Sequence, residues 1–388
     1  MKTRTTWQLA VAAPAAAAVL LTAGCGGGSS GDASVAGSDG AKVDVAAAQK
    51  SIDPLTKPAA DFPITEPLAK RPGPGTTVAF LDIGTPAIAQ FAEQLDEAAK
   101  VMGVKVQHVQ TGQTPQQISA AMNTVVESHP DAVIDVALDP ALFTPQLKAL
   151  QDQGAVVIVN SIVNGEKFGF DDAQIGSGKA GATDNGRTMA SALLAETKGK
   201  ATTLAFYRVP ELPFAELELQ GAKERLAEQC PGCTLRVVDV PLSQVGSTAS
   251  RTVVSDLQAH PDTDGFIASI DELQIGLPAA MKVAGVDVPG IGLSPTPVNL
   301  QQIAAGQQLA SLGTDIKTLA WFSLDRVARQ LAGQQQDYSF LAHTSASIAQ
   351  VFTKANVPSD PTAGYVAFPD YEDRFTTCLL YTSPSPRD

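Results

Sequence analysis

Two short spacings in this sequence are of the kind that carries chemistry. Cys230-Pro-Gly-Cys233 is a CxxC pair. Such a pair exchanges thiols and disulfides, closes a structural bridge, or supplies half of a tetrahedral zinc site. Zinc needs two further ligands, and His108, His129, His260 and His343 show no ligand spacing. In an exported protein the pair Cys230 and Cys233 is expected as a structural disulfide across a tight turn, with redox and metal roles as the alternatives. Gly176-Ser-Gly-Lys-Ala-Gly181 matches GxGxxG. A dinucleotide fingerprint closes the first strand of a βαβ unit. Four predicted strands precede this one, so it is expected as a flexible connection. No Walker A, HExxH, GxSxG or EF-hand pattern occurs. The chain is therefore expected to be no enzyme, with no metal and no cofactor.

What remains is a set of polar and aromatic residues at predicted strand ends, so the elements that place them matter most. Short β-branched runs alternate with longer amphipathic segments. Strands are predicted at 77–83, 105–109, 132–137 and 156–162, then at 201–207, 235–240, 265–270, 291–293 and 308–312. Helices are predicted at 87–102, 114–128, 142–153, 184–197 (with Asp184 as N-cap), 214–229, 247–260, 274–284, 297–305 and 316–332. Alternation of this kind predicts an α/β fold with parallel sheets covered on both faces. The chain has 388 residues, 44% of them hydrophobic, enough for two doubly wound sheets of similar size. Its net charge of -13 argues against nucleic acid as a partner, because phosphate binding needs clustered Lys and Arg.

Both ends read as something other than fold. Lys2 and Arg4 precede an Ala-rich apolar stretch, and Leu21-Thr22-Ala23-Gly24-Cys25 follows. This resembles a bacterial lipobox, which makes 1–24 a signal peptide and Cys25 the lipidated N-terminus at the outer face of a membrane. Thr22 departs from the usual Leu. Residues 25–75, Gly/Ser-rich and then Pro-rich, read as a flexible tether and an extended spacer, with a short helix near 43–52. Residues 378–388, Cys-Leu-Leu-Tyr-Thr-Ser-Pro-Ser-Pro-Arg-Asp, read as a translated sequencing adapter rather than natural sequence.

The order of segments resembles the type I periplasmic binding proteins, the ribose-binding-like receptors of ABC importers. Glu97-Ala-Ala-Lys-Val-Met-Gly103 is similar to the family's eeaAkelG, and His129-Pro-Asp-Ala-Val-Ile134 to its gvDaii. Gln153-Gly-Ala-Val-Val-Ile158 is similar to aGipvi, and Ile270-Asp-Glu-Leu-Gln-Ile-Gly276 to NDemAlG. Gly290-Ile-Gly-Leu-Ser-Pro-Thr-Pro297 is similar to vvGfDgtp, and Gln308-Leu-Ala-Ser-Leu312 to klatia. The resemblance implies two doubly wound lobes, 76–180 plus 315–338 and 181–314 plus 339–371, joined by a three-crossing hinge. It implies a monomer that binds a small molecule between its lobes and hands it to an ABC permease and ATPase. The alternative is a ligand-sensing lipoprotein that reports to a membrane receptor or kinase. Cytoplasmic repressors with this fold carry a DNA-binding helix-turn-helix where this chain has a lipobox.

Ligands of open α/β sheets bind beyond the carboxyl ends of the strands. The candidate ligand-binding residues are therefore Asp82, Thr85, Asp139, Asn160 and Ser161 in the first lobe. In the second they are Tyr207, Arg208, Phe214, Glu218, Asp271, Ser294 and Thr314. Phe168, Phe170 and Trp321 are further aromatic candidates, with core packing as the alternative. Asp82, Asp139, Glu211, Glu218, Asp271 and Glu272 are expected to form an acidic rim. The family's sugar-binding side chains match Ala87, Ile88, Ser161, Ile162, Glu218, Ile270, Ser294 and Thr314 here. None keeps the family residue. A less hydroxylated or partly apolar ligand is expected.

Overall fold

The computed structural model describes residues 42–59, 61–171, 175–344 and 348–380, with side chains as far as Thr377. The expected signal peptide at 1–24, Cys25, the Gly/Ser-rich stretch and 381–388 lie outside the described residues.

In the first lobe, β1 (Thr77–Asp82), β2 (Lys105–Gln110), β3 (Ala132–Val136) and β4 (Val156–Asn160) form a parallel sheet in the order β2-β1-β3-β4. The interior of β1 is wholly buried, as its unbroken apolar run requires. Register pairs Val78 with Val106 on one side and Ala132 on the other. The helices start where their caps say. Pro86 opens α2 (Pro86–Met102) behind the N-cap Thr85, and left-handed Gly103 stops it. Thr114 and Gln117 form a capping box on α3 (Pro115–Ser128). After α4 (Thr144–Asp152) and β4 the chain leaves the lobe.

The second lobe holds α5 (Lys179–Glu196), β5 (Thr203–Arg208), α6 (Ala215–Gln229), β6 (Thr234–Asp239), α7 (Ala249–Ala259) and β7 (Gly265–Ala268). It continues with α8 (Leu277–Ala284), β8 (Gly290–Leu293), α9 (Pro297–Ala304), β9 (Ala310–Thr314) and, further on, β10 (Ala349–Thr353). Its sheet order is β10-β9-β8-β7-β5-β6, with β10 antiparallel to β9. The two sheets are thus unequal, and the second carries an antiparallel edge strand absent from the sequence-based expectation. Helix α5 begins five residues before the expected Asp184, because the GxGxxG stretch is helical from Lys179. Its Gly186 lies against the backbone of Glu218, and Gly221 of α6 lies against the backbone of Thr183. A Cβ at either would come within 2.0 Å of a carbonyl oxygen. These glycines serve close helix packing, not flexibility. Cys230 and Cys233 are joined by a disulfide at the turn between α6 and β6.

Helix α10 (Ile316–Leu331) returns to the first lobe and packs on α2 and β4. The segment expected to be a spacer does not behave as one between 42 and 68. Helix α1 (Val45–Ile52) packs on α5 and α6, with Ala48 and Ile52 buried. The Asn356 amide donates to the Thr56 carbonyl (2.9 Å). The chain then crosses to the first lobe. There Phe62 meets Phe322, Phe368 and Phe375 at ring distances of 5.0–5.6 Å, and Ile64 and Leu68 are buried. Buried Arg329, paired with Asp325 (2.9 Å), donates to the Glu66 carbonyl (2.6 Å). At the other end, the turn Pro361–Ala363 packs on α9, while α11 (Tyr371–Leu380) packs on α2 and α10 of the first lobe. Two further passages therefore join the three expected crossings, and the chain beyond about 364 belongs to the first lobe. The adapter-like segment begins at Cys378, so only the last three backbone positions of α11 touch it.

Candidate functional site

The parallel strands of both sheets point their carboxyl ends at one cleft between the lobes. Ile83, Thr85 and the first turns of α2 (Ala87, Ile88, Phe91) line it from β1, Val136 and Ala137 from β3, and Ser161 from β4. The second lobe contributes Leu212 and Phe214 after β5, Ile270 and Glu272 after β7, Leu293 and Ser294 from β8, and Thr314 from β9. Ile316 and Leu319 of α10 and the crossing residues Gly176, Ser177, Leu341 and Ile348 complete the wall. The space measures about 920 Å³, counting its open mouth.

Three strand-end residues of this wall, Ala137, Ser161 and Ser294, hold the left-handed conformation with φ of 75°, 53° and 61°. Each follows the last residue of a strand. Non-glycine residues adopt this conformation at a cost of about 1 kcal/mol or more, and such strain concentrates at functional sites. Here it turns the chain sharply at the cleft and presents short side chains.

Among the described residues, the cleft has one charged lining residue, Glu272. Its carboxylate accepts the Ala87 N–H (2.8 Å) across the lobe boundary. Ala87 sits in the first turn of α2, where amides have no intrahelical acceptor, so Glu272 caps that helix from the opposite lobe. Burial pushes the Glu272 carboxyl up, against the Ala87 N–H and the Thr85 hydroxyl, which favour the charged form. Behind it lies Asp271, fully buried, with its Oδ1 accepting from Gln274 (2.6 Å) and Gln308 (2.8 Å) and its Oδ2 from Ser311. Burial pushes Asp271 up to about 7 despite these donors.

Of the predicted site residues, Thr85, Ser161, Phe214, Ser294 and Thr314 line the cleft. The others are placed elsewhere. Asp82 accepts from the Gly84 N–H (2.7 Å) and from Gln110. Asp139 caps a short turn through the Ala141 N–H (2.9 Å). Asn160 is buried, donating to Ser323 (3.0 Å) and accepting from Arg326 (3.4 Å). Tyr207 faces the sheet interior and donates to Asp256 (2.7 Å). Arg208 forks onto Asp239 (2.9 and 3.1 Å) and pairs with Glu216. Glu218 lies between α5 and α6, and burial pushes its carboxyl well up. Asp271 is one layer behind the wall. The expected acidic rim therefore reduces to Glu272, because Asp82, Asp139 and Glu211 accept nearby backbone N–H groups, Asp271 is buried among amide and hydroxyl donors, and Glu218 is buried between α5 and α6. Trp321 is core, packed on Tyr371 and Phe375. Phe168 and Phe170 pack at the partly buried edge of the first lobe. The missed residues are the apolar ones, above all Phe91, Leu212, Leu319 and Ile348. They carry no signal beyond core-like hydrophobicity. Among the described residues, no cluster of His, Cys, Asp and Glu could hold a metal ion, and no helix is long and apolar enough to cross a membrane.

A family model described as "periplasmic binding protein domain" matches residues 77–335. A search of curated proteins finds no match. Among solved structures, the 5-methylthioribose transporter solute-binding protein of Thermotoga lettingae matches with a TM-score of 0.64 at 14% identity, over 78% of this chain and 98% of that one. The glucose-galactose binding protein GanP of Geobacillus stearothermophilus matches at 0.60 and 16% identity, over 74% of this chain and 100% of that one. An ABC transporter solute-binding protein of Burkholderia graminis, in complex with D-arabinose, matches at 0.61 and 18% identity, over 75% and 99%.

Proposed function

Since this chain belongs to the type I periplasmic binding proteins, a family of extracytoplasmic solute-binding proteins and not of enzymes, we propose that it captures a small molecule between its lobes and delivers it to an ABC permease and ATPase. In this reading, which the family resemblance supports, it acts as a monomer, and the lipobox-like Leu21–Cys25 supports a tether through Cys25 to the outer face of the bacterial cell membrane. The observation that carries the reading is the cleft itself. Strand ends from both lobes converge on it, and an interlobe hydrogen bond from Ala87 to Glu272 closes beside it. Closure around a ligand is the motion such a geometry performs.

The test is a thermal-shift screen of residues 26–377 against sugars, polyols, amino acids, nucleosides, quaternary amines and small neutral hydrocarbons. A ligand at about 100 times its Kd adds about 2.7 kcal/mol of stability, which raises Tm by a few degrees. A hit that also narrows the interlobe distance in solution scattering supports capture. Hits that leave that distance unchanged refute it.

A further inference from the structure

Resting on that reading of the cleft, we infer that its ligand is a neutral, largely hydrocarbon small molecule with one or two hydroxyl or N–H groups, not a polyhydroxylated sugar. The wall is made mostly of Ile, Leu, Val, Ala and Phe side chains. Among the described residues, no Arg, Lys, Asn, Gln, Asp or His belongs to it. Its polar side chains are the carboxylate of Glu272 and the hydroxyls of Thr85, Ser161, Ser177, Ser294 and Thr314. Several of these are already engaged. Thr85 accepts the Ile88 N–H (3.4 Å), Glu272 accepts the Ala87 N–H, and Ser177 accepts from Asn185 (3.3 Å).

A pyranose entering this space would strip water from every one of its hydroxyls. Each hydroxyl left without a partner weakens binding by about tenfold or more. Single hydroxyls at scattered points cannot make the bidentate bonds that hold vicinal diols. A hydrocarbon skeleton loses nothing on entry and gains by leaving water. An anion meets no cation among the described lining residues and would face Glu272. What the wall does offer is acceptor capacity on Glu272, whose two oxygens hold more lone pairs than the Ala87 and Thr85 donors use. One O–H or N–H on an apolar body matches that provision.

The probe is N-phenyl-1-naphthylamine, neutral and apolar with a single N–H, whose fluorescence rises when it leaves water. The full mature chain is expected to bind it saturably. Carveol, a cyclic alcohol, should displace it about tenfold better than carvone, the ketone on the same skeleton. D-Ribose and D-galactose should not displace it. Ala87→Trp fills the cleft and should abolish binding. Ile270→Asn, a milder change that places an amide in the apolar wall, should weaken it about tenfold. Far-UV circular dichroism melts check that both variants fold. Absent probe binding, displacement by either sugar, equal displacement by carveol and carvone, or binding unaffected by both variants each overturn the inference. If the probe fails while a sugar or a cation scores in the wider screen, only the ligand class falls. If the wider screen also yields no ligand that narrows the interlobe distance, solute capture falls with it.

Discussion

Replacing Asp271 by Asn should stabilise the protein at pH 8 and do little at pH 4. Asp271 is fully buried, and its carboxyl rises from 3.8 to about 7 because burial outweighs the donors Gln274, Gln308 and Ser311. A carboxyl raised in the folded state binds its proton more tightly there than in the unfolded chain. Stability therefore falls as pH climbs from about 4 to about 7, then levels off. The rise corresponds to about 4 kcal/mol at pH 8 and under about 1 kcal/mol at pH 4. Asn has nearly the same shape and keeps an acceptor for Gln274 and Gln308. Its amide would face Ser311, whose hydroxyl can then donate to the Gly292 carbonyl, 3.3 Å away. Any misfit in that exchange costs about 1 kcal/mol at every pH. The pH dependence of the difference is therefore the cleaner observable. It should grow by about 3 kcal/mol between pH 4 and pH 8. Urea unfolding followed by fluorescence of buried Trp321 measures it. Other buried acids cancel to first order in the comparison, among them Asp135, Asp315 and Glu218, all raised by burial. Parallel stability curves for the two proteins would refute the reasoning, and would mean that Asp271 is ionised in the folded protein at little cost.

Three further outcomes follow from the packing. Phe62→Ala removes a ring wedged among Phe322, Phe368 and Phe375 and should cost about 3–5 kcal/mol in denaturant unfolding; a cost below about 1 kcal/mol would show that 42–68 is a spacer after all. Gly221→Ala drives a Cβ to 2.0 Å from the Thr183 carbonyl, so it should destabilise by more than about 2 kcal/mol as α5 and α6 separate, whereas the same change at Gly333 is opposed only by its left-handed backbone and should cost about 1 kcal/mol. Replacing both Cys230 and Cys233 by Ala opens a very small loop and should cost about 2 kcal/mol or less; ligand binding should be unchanged, and a loss of function without loss of stability would point back to redox chemistry.

Much of the fold was legible because it rests on local rules that a sequence displays. The Thr85-Pro86 and Thr114-Pro115 pairs announce α2 and α3, and buried strands such as β1 read as unbroken apolar runs. What escaped reading rests on contacts between distant segments. Phe62, Ile64 and Leu68 sit in a Pro-rich stretch with no helical or strand period, because each docks singly into a site formed by other elements. Strand β10 is short and pairs only at an edge, against β9. The early start of α5 was hidden by glycines whose purpose lies in the partner helix.

The site divides along the same line. Positions transferred from the family resemblance largely line the cleft: Ala87, Ile88, Ser161, Ile270, Ser294 and Thr314 all do. Ile162 packs instead with Val159 and Ile175, and Glu218 turns toward α5. Position was thus carried by topology, since a strand end in this fold must face the other lobe. Chemistry was carried by residue type, and types alone misled wherever a carboxylate was taken for a ligand contact. Asp82, Asp139 and Arg208 show the reason. A polar group at a strand end has backbone amides and opposite charges within its own lobe, and it is satisfied there first. Glu272 differs because the donor it meets, the Ala87 N–H, belongs to the opposite lobe. If the lobes open as proposed, Glu272 loses that donor, so the charged group on the described cleft wall would be the one whose partner changes on closure, and ligand selection and closure would meet at one side chain.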